Sequence, residues 1–406
     1  MLYWRSWPTA RSERSNSSSA SALRITSEVP RTIVCELVRQ AVVLAKNART
    51  NRLLPILPPH DFEYLDLDSQ SHSIIRRLEN KTRNLIRSKD VDPWRMTAKW
   101  LLQLFGSRDI GLISLDNSIA LVRALCEEGF DGPIILVQHG TNHFSYDQPV
   151  STVLPNSILL SWGEREVAAY SLHGCRTQYV VPVGSIESYN YSESNTLSVP
   201  ITERNQICIV SEYRDDQSEQ GDDYMKMRVA SWSILLSQIR SCTGALDLRP
   251  HIALRPTTFG ATESAQREYF AEALGQGCRF SRHDEPYSSY KLIDNSELVF
   301  GLQSALLTES IGRNNKVIFV NPLNDNRMVP PLGGLCGANG LSTDELIKHV
   351  HTVLAVTIAE YQESLHPSID YLIRPNFDTG HALNLAGTLL RRGCSAAEIA
   401  AELSHL

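Results

Sequence analysis

Short, continuously apolar stretches alternate with helix-spaced ones along most of this chain. IGLISL at 110–115, PIILV at 133–137, SILLSW at 157–162 and QYVVPV at 178–183 read as strands, with helical spacing over 118–128 and 164–173 between them. Strands without a polar face predict a parallel sheet covered by helices on both sides, a Rossmann-like arrangement. A second series follows: QICIV at 206–210, HIAL at 251–254, LVF at 298–300 and KVIFV at 316–320. Helices are predicted over 224–240, over 262–274 and between the last two strands. Ahead of the first series, apolar spacing predicts helices over 34–45, 73–88 and 94–105, with Pro55, Pro58 and Pro59 breaking the chain. After the second comes the Pro/Gly-rich stretch MVPPLGGLCGANG at 328–340, a helix over 342–359 and shorter helical pieces.

The polar, aperiodic stretch SYNYSESNTLSVPITERN at 188–205 separates the two series and reads as an interdomain linker. The predicted organisation is a basic, partly disordered and helical extension over 1–55, a first domain over 56–190, a linker over 191–205, a second domain over 206–330 and a helical segment over 331–406. A chain of 406 residues is long enough for two such cores.

Charge and cysteines narrow the classes. The formal net charge of −6 gives no reason to expect a nucleic-acid partner. The 8 cysteines are scattered without a CxxC pair, and several lie in apolar runs, so they read as buried thiols in a reducing, cytoplasmic setting. No run reaches the length of a transmembrane helix. Residues 1–55 nevertheless carry nine Lys/Arg against three Glu. That excess suits peripheral contact with an anionic membrane face, a solvated extension or, on the Ser- and Arg-rich composition, a transit segment.

Polar clusters at strand ends are where open α/β sheets bind ligands. IILVQHGTNH at 134–143 puts Gln138, His139 and Gly140 directly after a strand. His139 is the candidate general base for an attacking hydroxyl, with Gln138, Gly140 and His143 on the acceptor side. A strand-end histidine that only bonds its own loop is the alternative. SLDN at 114–117 places Asp116 to orient His139, to act as base itself, or simply to cap the next helix. Glu164, in the WGE turn at 162–164, reads as first-turn helix charge. Gly184 and Ser185 close the last strand of the first domain as a hinge.

In the second half, the turn GLQS at 301–304 precedes a helix, so Gln303, Ser304 and neighbouring N–H groups suit a phosphate. Glu309 follows by one and a half turns, within reach of a ribose or sugar hydroxyl. Arg255, ending HIALRP, would fork across phosphate oxygens, with a surface ion pair as the alternative. The loop DEPYSSY at 284–290 would lie near the base or sugar. The acidic run at 212–223 reads as a solvated loop, and no metal is expected.

Taken in order, VQHG, WGE, VGS, LRP and DNSELV…SALLTE resemble bacterial surface-carbohydrate glycosyltransferases of GT-B type, those of capsule and lipopolysaccharide, and more distantly CDP-glycerol glycerophosphotransferases. The resemblance covers 109–189 and 206–322. It implies two Rossmann-like domains facing a cleft, with a glycan or lipid-linked glycan acceptor in the first and a nucleotide-sugar donor, a substrate rather than a cofactor, in the second. On that pattern His139 belongs to the acceptor-side motif, and Arg255, Ser304 and Glu309 to the donor side. One departure is the absence of a histidine beside Pro256, where related proteins often have one. The alternatives are a CDP-alcohol polyol-phosphate transferase, a nucleotide-sugar 2-epimerase and a non-catalytic scaffold of polysaccharide assembly.

Overall fold

The computed structural model describes residues 40–45, 53, 55–57, 61–66, 92–140, 149–194, 206–213, 223–255, 262–275, 277–282, 284–328, 332–375 and 378–406. Leu37–Leu406 form one compact unit. The helix predicted over 73–88 and the loop residue His143 lie outside the described residues.

The first sheet contains β1 (Gln40–Ala45), β2 (Glu63–Asp66), β3 (Ile110–Leu115), β4 (Ile134–Val137), β5 (Thr152–Ser161) and β6 (Cys175–Pro182), in the order β2-β1-β3-β4-β5-β6. The second contains β7 (Gln206–Val210), β8 (Arg249–Ala253), β9 (Arg279–Phe280), β10 (Leu298–Gly301), β11 (Val317–Asn321) and β12 (Gly337–Asn339), in the order β12-β11-β10-β7-β8-β9. Every strand pair is parallel. The unbroken burial of β4, β7 and β11 is what their apolar runs demand, since helices cover both faces. Strand order reverses between β1 and β3 in one sheet and between β7 and β10 in the other. Those reversals open the crevices in which ligands of such sheets sit.

Among the described residues the α-helices are α1 (Pro93–Phe105), α2 (Ile119–Glu127), α3 (Arg165–Ala169), α4 (Ile186–Ser194), α5 (Asp223–Leu246), α6 (Glu263–Leu274), α7 (Ser288–Asp294), α8 (Ala305–Gly312), α9 (Thr343–Ala355), α10 (Ile358–Glu363), α11 (Ile369–Leu372), α12 (Thr379–Arg391) and α13 (Ala396–Leu403). Ser342 and Glu345 close a capping box on α9, and Ser395 and Glu398 another on α13, each satisfying two backbone donors at the helix start.

Three expectations are corrected. The helix predicted over 34–45 is strand β1 in its described part, with Val42 and Val43 buried between β2 and β3. A run as short as QAVVLA satisfies either period, and two neighbouring strands decide it. The first sheet thus begins inside the segment read as an extension. The stretch read as linker is helical as far as Ser194, where α4 ends. Finally, 331–406 is not one helical appendage. Its early part supplies β12 and the α9 and α10 residues Leu346, Val350, Val353 and Tyr361 to the core of the second sheet. Its last two helices, through Leu383, Ala386, Leu390, Ile399 and Leu403, cover the first sheet.

The chain crosses back through a close passage. Arg374 N donates to Trp162 O at 2.8 Å, Glu164 N to Asp370 O at 3.2 Å, and Thr379 Oγ1 to Val183 O at 2.6 Å.

In α9, His349 Nε2 lies 3.1 Å from Leu335 O, and burial pushes its pKa below 6.5. A base whose folded pKa is depressed contributes stability above its unfolded pKa and loses it as pH falls through the folded value. Urea unfolding at pH 7, 6 and 5 should therefore show stability falling towards pH 5, with a shallower fall in His349→Gln. Equal slopes in the two proteins would remove His349 as the cause.

Candidate functional site

β3 and β4 are neighbours in register, so Asp116 and His139, which follow their last residues, come together. Asp116 is fully buried, and the N-cap position of α2 belongs to Ser118. Asp116 Oδ1 accepts the His139 backbone N–H at 3.1 Å and pairs with His139 Nδ1, while its Oδ2 accepts from Tyr170 OH at 2.8 Å. A carboxylate against Nδ1 places the proton there and leaves Nε2 with the lone pair, the arrangement a general base requires. The His139 side chain remains 29% exposed, so the ring is open to an incoming group.

Gln138, expected on the acceptor side, is buried with its side-chain amide bonded within the protein. Its Oε1 accepts from Trp162 N at 2.7 Å, its Nε2 donates to Gly140 O and Glu166 Oε1, each at 3.1 Å, and its carbonyl accepts from Trp162 Nε1 at 3.1 Å. The WGE turn thus serves the histidine loop through Trp162. Gly163 contributes by close approach: a Cβ there would lie 2.5 Å from Leu372 C and 2.6 Å from Tyr371 O. Glu164 meets the same return strand of chain through its backbone.

On the second sheet, the reversal between β7 and β10 gathers Glu212, Gln303 and Ser304. Glu212 Oε1 accepts from Gln303 N at 2.7 Å, and its other oxygen pairs with Arg228 of α5. Glu212 is therefore a buried strut rather than part of a solvated loop. The Gln303 amide is also committed, its Oε1 accepting from Tyr224 OH at 2.6 Å and its Nε2 donating to Arg327 O at 2.7 Å. These bonds brace the GLQS turn against Tyr224 and Arg327. Ser304 is the N-cap of α8, its Oγ accepting from Leu306 N at 3.3 Å. Arg255, two residues past the end of β8, is half-buried, with its N–H and carbonyl both held by the side-chain amide of Gln266.

Glu309 departs most from expectation. It is buried, its Oε1 accepting from Ser185 Oγ and its Oε2 from Tyr290 OH at 2.7 Å. Burial and the neighbouring Glu309 raise the Tyr290 pKa well above its ordinary value, so the phenol keeps its proton and donates. Glu309 thus ties α8 to Ser185, just after the last strand of the first sheet, and to Tyr290 of α7. Gly184 sits at φ 82°, backbone that favours glycine, immediately before Ser185. Arg313, at the end of α8, continues the tie with its guanidinium 4.4 Å from the Tyr290 ring centre and 3.1 Å from Asp294.

The two halves meet. A Cβ on Gly140 would lie 3.8 Å from the Cβ of Ala305, the first residue of α8. The histidine loop therefore lies against the N-terminus of α8, whose positive dipole end points towards it. Among the described residues no group of three or more His, Cys, Asp and Glu could hold a metal ion, and no helix is long and apolar enough to cross a membrane.

Sequence reading missed Tyr170 and Glu166, and it read Glu212 as part of a solvated loop and Tyr290 as part of a loop near the base or sugar. Glu166 and Tyr170 stand four residues apart, which places them on one helix face, but spacing alone does not say which face turns inward.

No protein-family model and no curated protein matches the chain. Solved structures do. One from Listeria monocytogenes, assigned as a UDP-N-acetylglucosamine 2-epimerase, superposes with a TM-score of 0.50 at 12% identity, over 86% of this chain and 96% of that one. An α,α-trehalose 6-phosphate synthase from Burkholderia multivorans gives 0.48 at 12% identity, over 91% and 98%. The architecture is α/β of GT-B type, two Rossmann-like domains facing a cleft.

Proposed function

We propose that the protein is a glycosyltransferase that moves a sugar from a nucleotide-activated donor to a hydroxyl of a glycan or lipid-linked glycan. The observation that carries this reading is the placement of the Asp116–His139 pair opposite the N-terminus of α8. In the proposed step His139 Nε2 takes the proton of the acceptor hydroxyl as its oxygen attacks the anomeric carbon. The bond from that carbon to the donor's phosphate oxygen breaks, and the nucleotide leaves as the diphosphate. The N–H groups at the start of α8 and the Arg255 guanidinium take up the charge on the leaving group. Pre-aimed donors of this kind cost no reorganisation during the reaction. The surface-polysaccharide acceptor rests on the motif resemblance, as does membrane contact through the basic N-terminal stretch.

The test is a thermal-shift screen against UDP, GDP, CDP, CMP and dTDP. A nucleotide that binds the folded state alone stabilises it by about 2.7 kcal/mol at a hundredfold excess over Kd. One base should raise the Tm, and the rise should shrink in both Ser304→Ala and Arg255→Ala. The quantity compared is the shift on adding nucleotide, because loss of the Ser304 cap itself costs about 1 kcal/mol. No shift with any nucleotide would overturn the donor site and favour the scaffold. A response to CDP together with CMP would favour the polyol-phosphate transferase. Inversion at C2 of UDP-N-acetylglucosamine without an acceptor would favour the epimerase.

A further inference from the structure

We infer that Glu166 and Tyr170, one helical turn apart, are positioning residues that hold His139 in a single tautomer and orientation. The consequence for turnover rests on the transfer reading above; the positioning itself does not. Tyr170 is 3% exposed, and its hydroxyl donates to Asp116 Oδ2 at 2.8 Å, leaving Oδ1 to the ring and backbone of His139. Asp116 is fully buried, and a buried carboxylate keeps one orientation only while both oxygens are satisfied. Without the phenol, rotation of the carboxylate would trade the Nδ1 partner for another.

Glu166 acts on the residue before. It is 2% exposed, and its Oε1 accepts from Gln138 Nε2 at 3.1 Å. The same Gln138 nitrogen donates to Gly140 O at 3.1 Å, so the carboxylate fixes the amide that spans the histidine. With Trp162 N on Oε1, the amide has one way to face. Glu166 lies within α3 and Tyr170 directly follows it. One short element therefore supports His139 from both sides, through Asp116 and through Gln138. Its place after β5, next to β4 in the sheet, is what brings it there.

Nitrogen NMR of the histidine-labelled protein without ligand tests this, with the His139 signals assigned by their loss in His139→Gln. The expected wild-type pattern is a protonated Nδ1 and an unprotonated Nε2. Tyr170→Phe keeps the ring in the core and should give a mixture of tautomers, as should Asp116→Asn, the control that alters the carboxylate directly. Should Tyr170→Phe not fold, Glu166→Gln, of nearly the same volume, reads the same signals. With donor and acceptor present, Tyr170→Phe should lower kcat about tenfold, the loss of one hydrogen bond to a charged group, with KM unchanged. A wild-type tautomer pattern in folded Tyr170→Phe would overturn the inference. An altered pattern supports it even where the wild-type protein turns over no nucleotide sugar, an outcome that counts against the transfer reading alone.

Discussion

His139→Gln is expected to lower sugar transfer by about 10²–10⁴-fold, the range that a positioned general base contributes. Nucleotide binding should survive, because the imidazole belongs to the first sheet and the proposed diphosphate site to the start of α8 on the second. The split matters more than the size of the fall. The measurement is nucleotide release from the donor whose base the binding screen selects, alongside the thermal shift with that nucleotide. Glutamine suits the test because it keeps a polar side chain beside Asp116 while removing the basic nitrogen. Asp116→Asn should lower turnover as well, since an amide can present a donor to Nδ1 and favour the other tautomer. Full transfer activity in His139→Gln would remove this residue as the base. Loss of nucleotide binding with activity would show instead that the loop, or the whole fold, had moved.

Gly163→Ala is expected to be among the most destabilising single-methyl changes in the molecule. The added carbon would lie 2.5 Å from Leu372 C and 2.7 Å from Ile373 N, where neither atom is the end of a flexible side chain. Relief requires the return strand of chain to move from the WGE turn, lengthening the Arg374 N to Trp162 O bond of 2.8 Å. Overpacking in a close-packed region costs about 1–3 kcal/mol and more where backbone must shift. Trp162 also donates two hydrogen bonds to Gln138, so the disturbance should reach the histidine loop. A lower urea midpoint together with reduced turnover is the expected result. Gly244→Ala is a suitable control, because a Cβ there meets nothing within 4 Å and lies in the last turn of α5. Equal stability of the two variants would show that the return passage yields at no cost.

Much of the architecture was legible because buried parallel strands leave a plain trace. IGLISL, IILV, QICIV and VIFVN have no polar face to disguise them, and helices over 94–105 and 262–274 declared themselves by apolar spacing. The positions of Asp116, His139, Ser304 and Arg255 at strand ends were equally readable, since strand ends follow from strand limits. Which side chains serve as struts was not. Gln138, Gln303 and Glu309 look like ligand contacts in a linear chain, yet each has its polar atoms bound to other protein groups.

The sequence by itself determined that two parallel α/β sheets form, and it put a histidine and a phosphate-suited turn at the ends of their strands, because apolar periodicity and turn chemistry are local. Tertiary structure alone decided that QAVVLA is a strand, that 331–406 divides between the two sheets, that Asp116 pairs with His139, and that Glu309 ties α8 to Ser185. Each of these depends on partners between 23 and 124 residues away, as in the Asp116–His139 and Ser185–Glu309 pairs, or on neighbouring strands and sheets, and no local pattern specifies which distant group arrives.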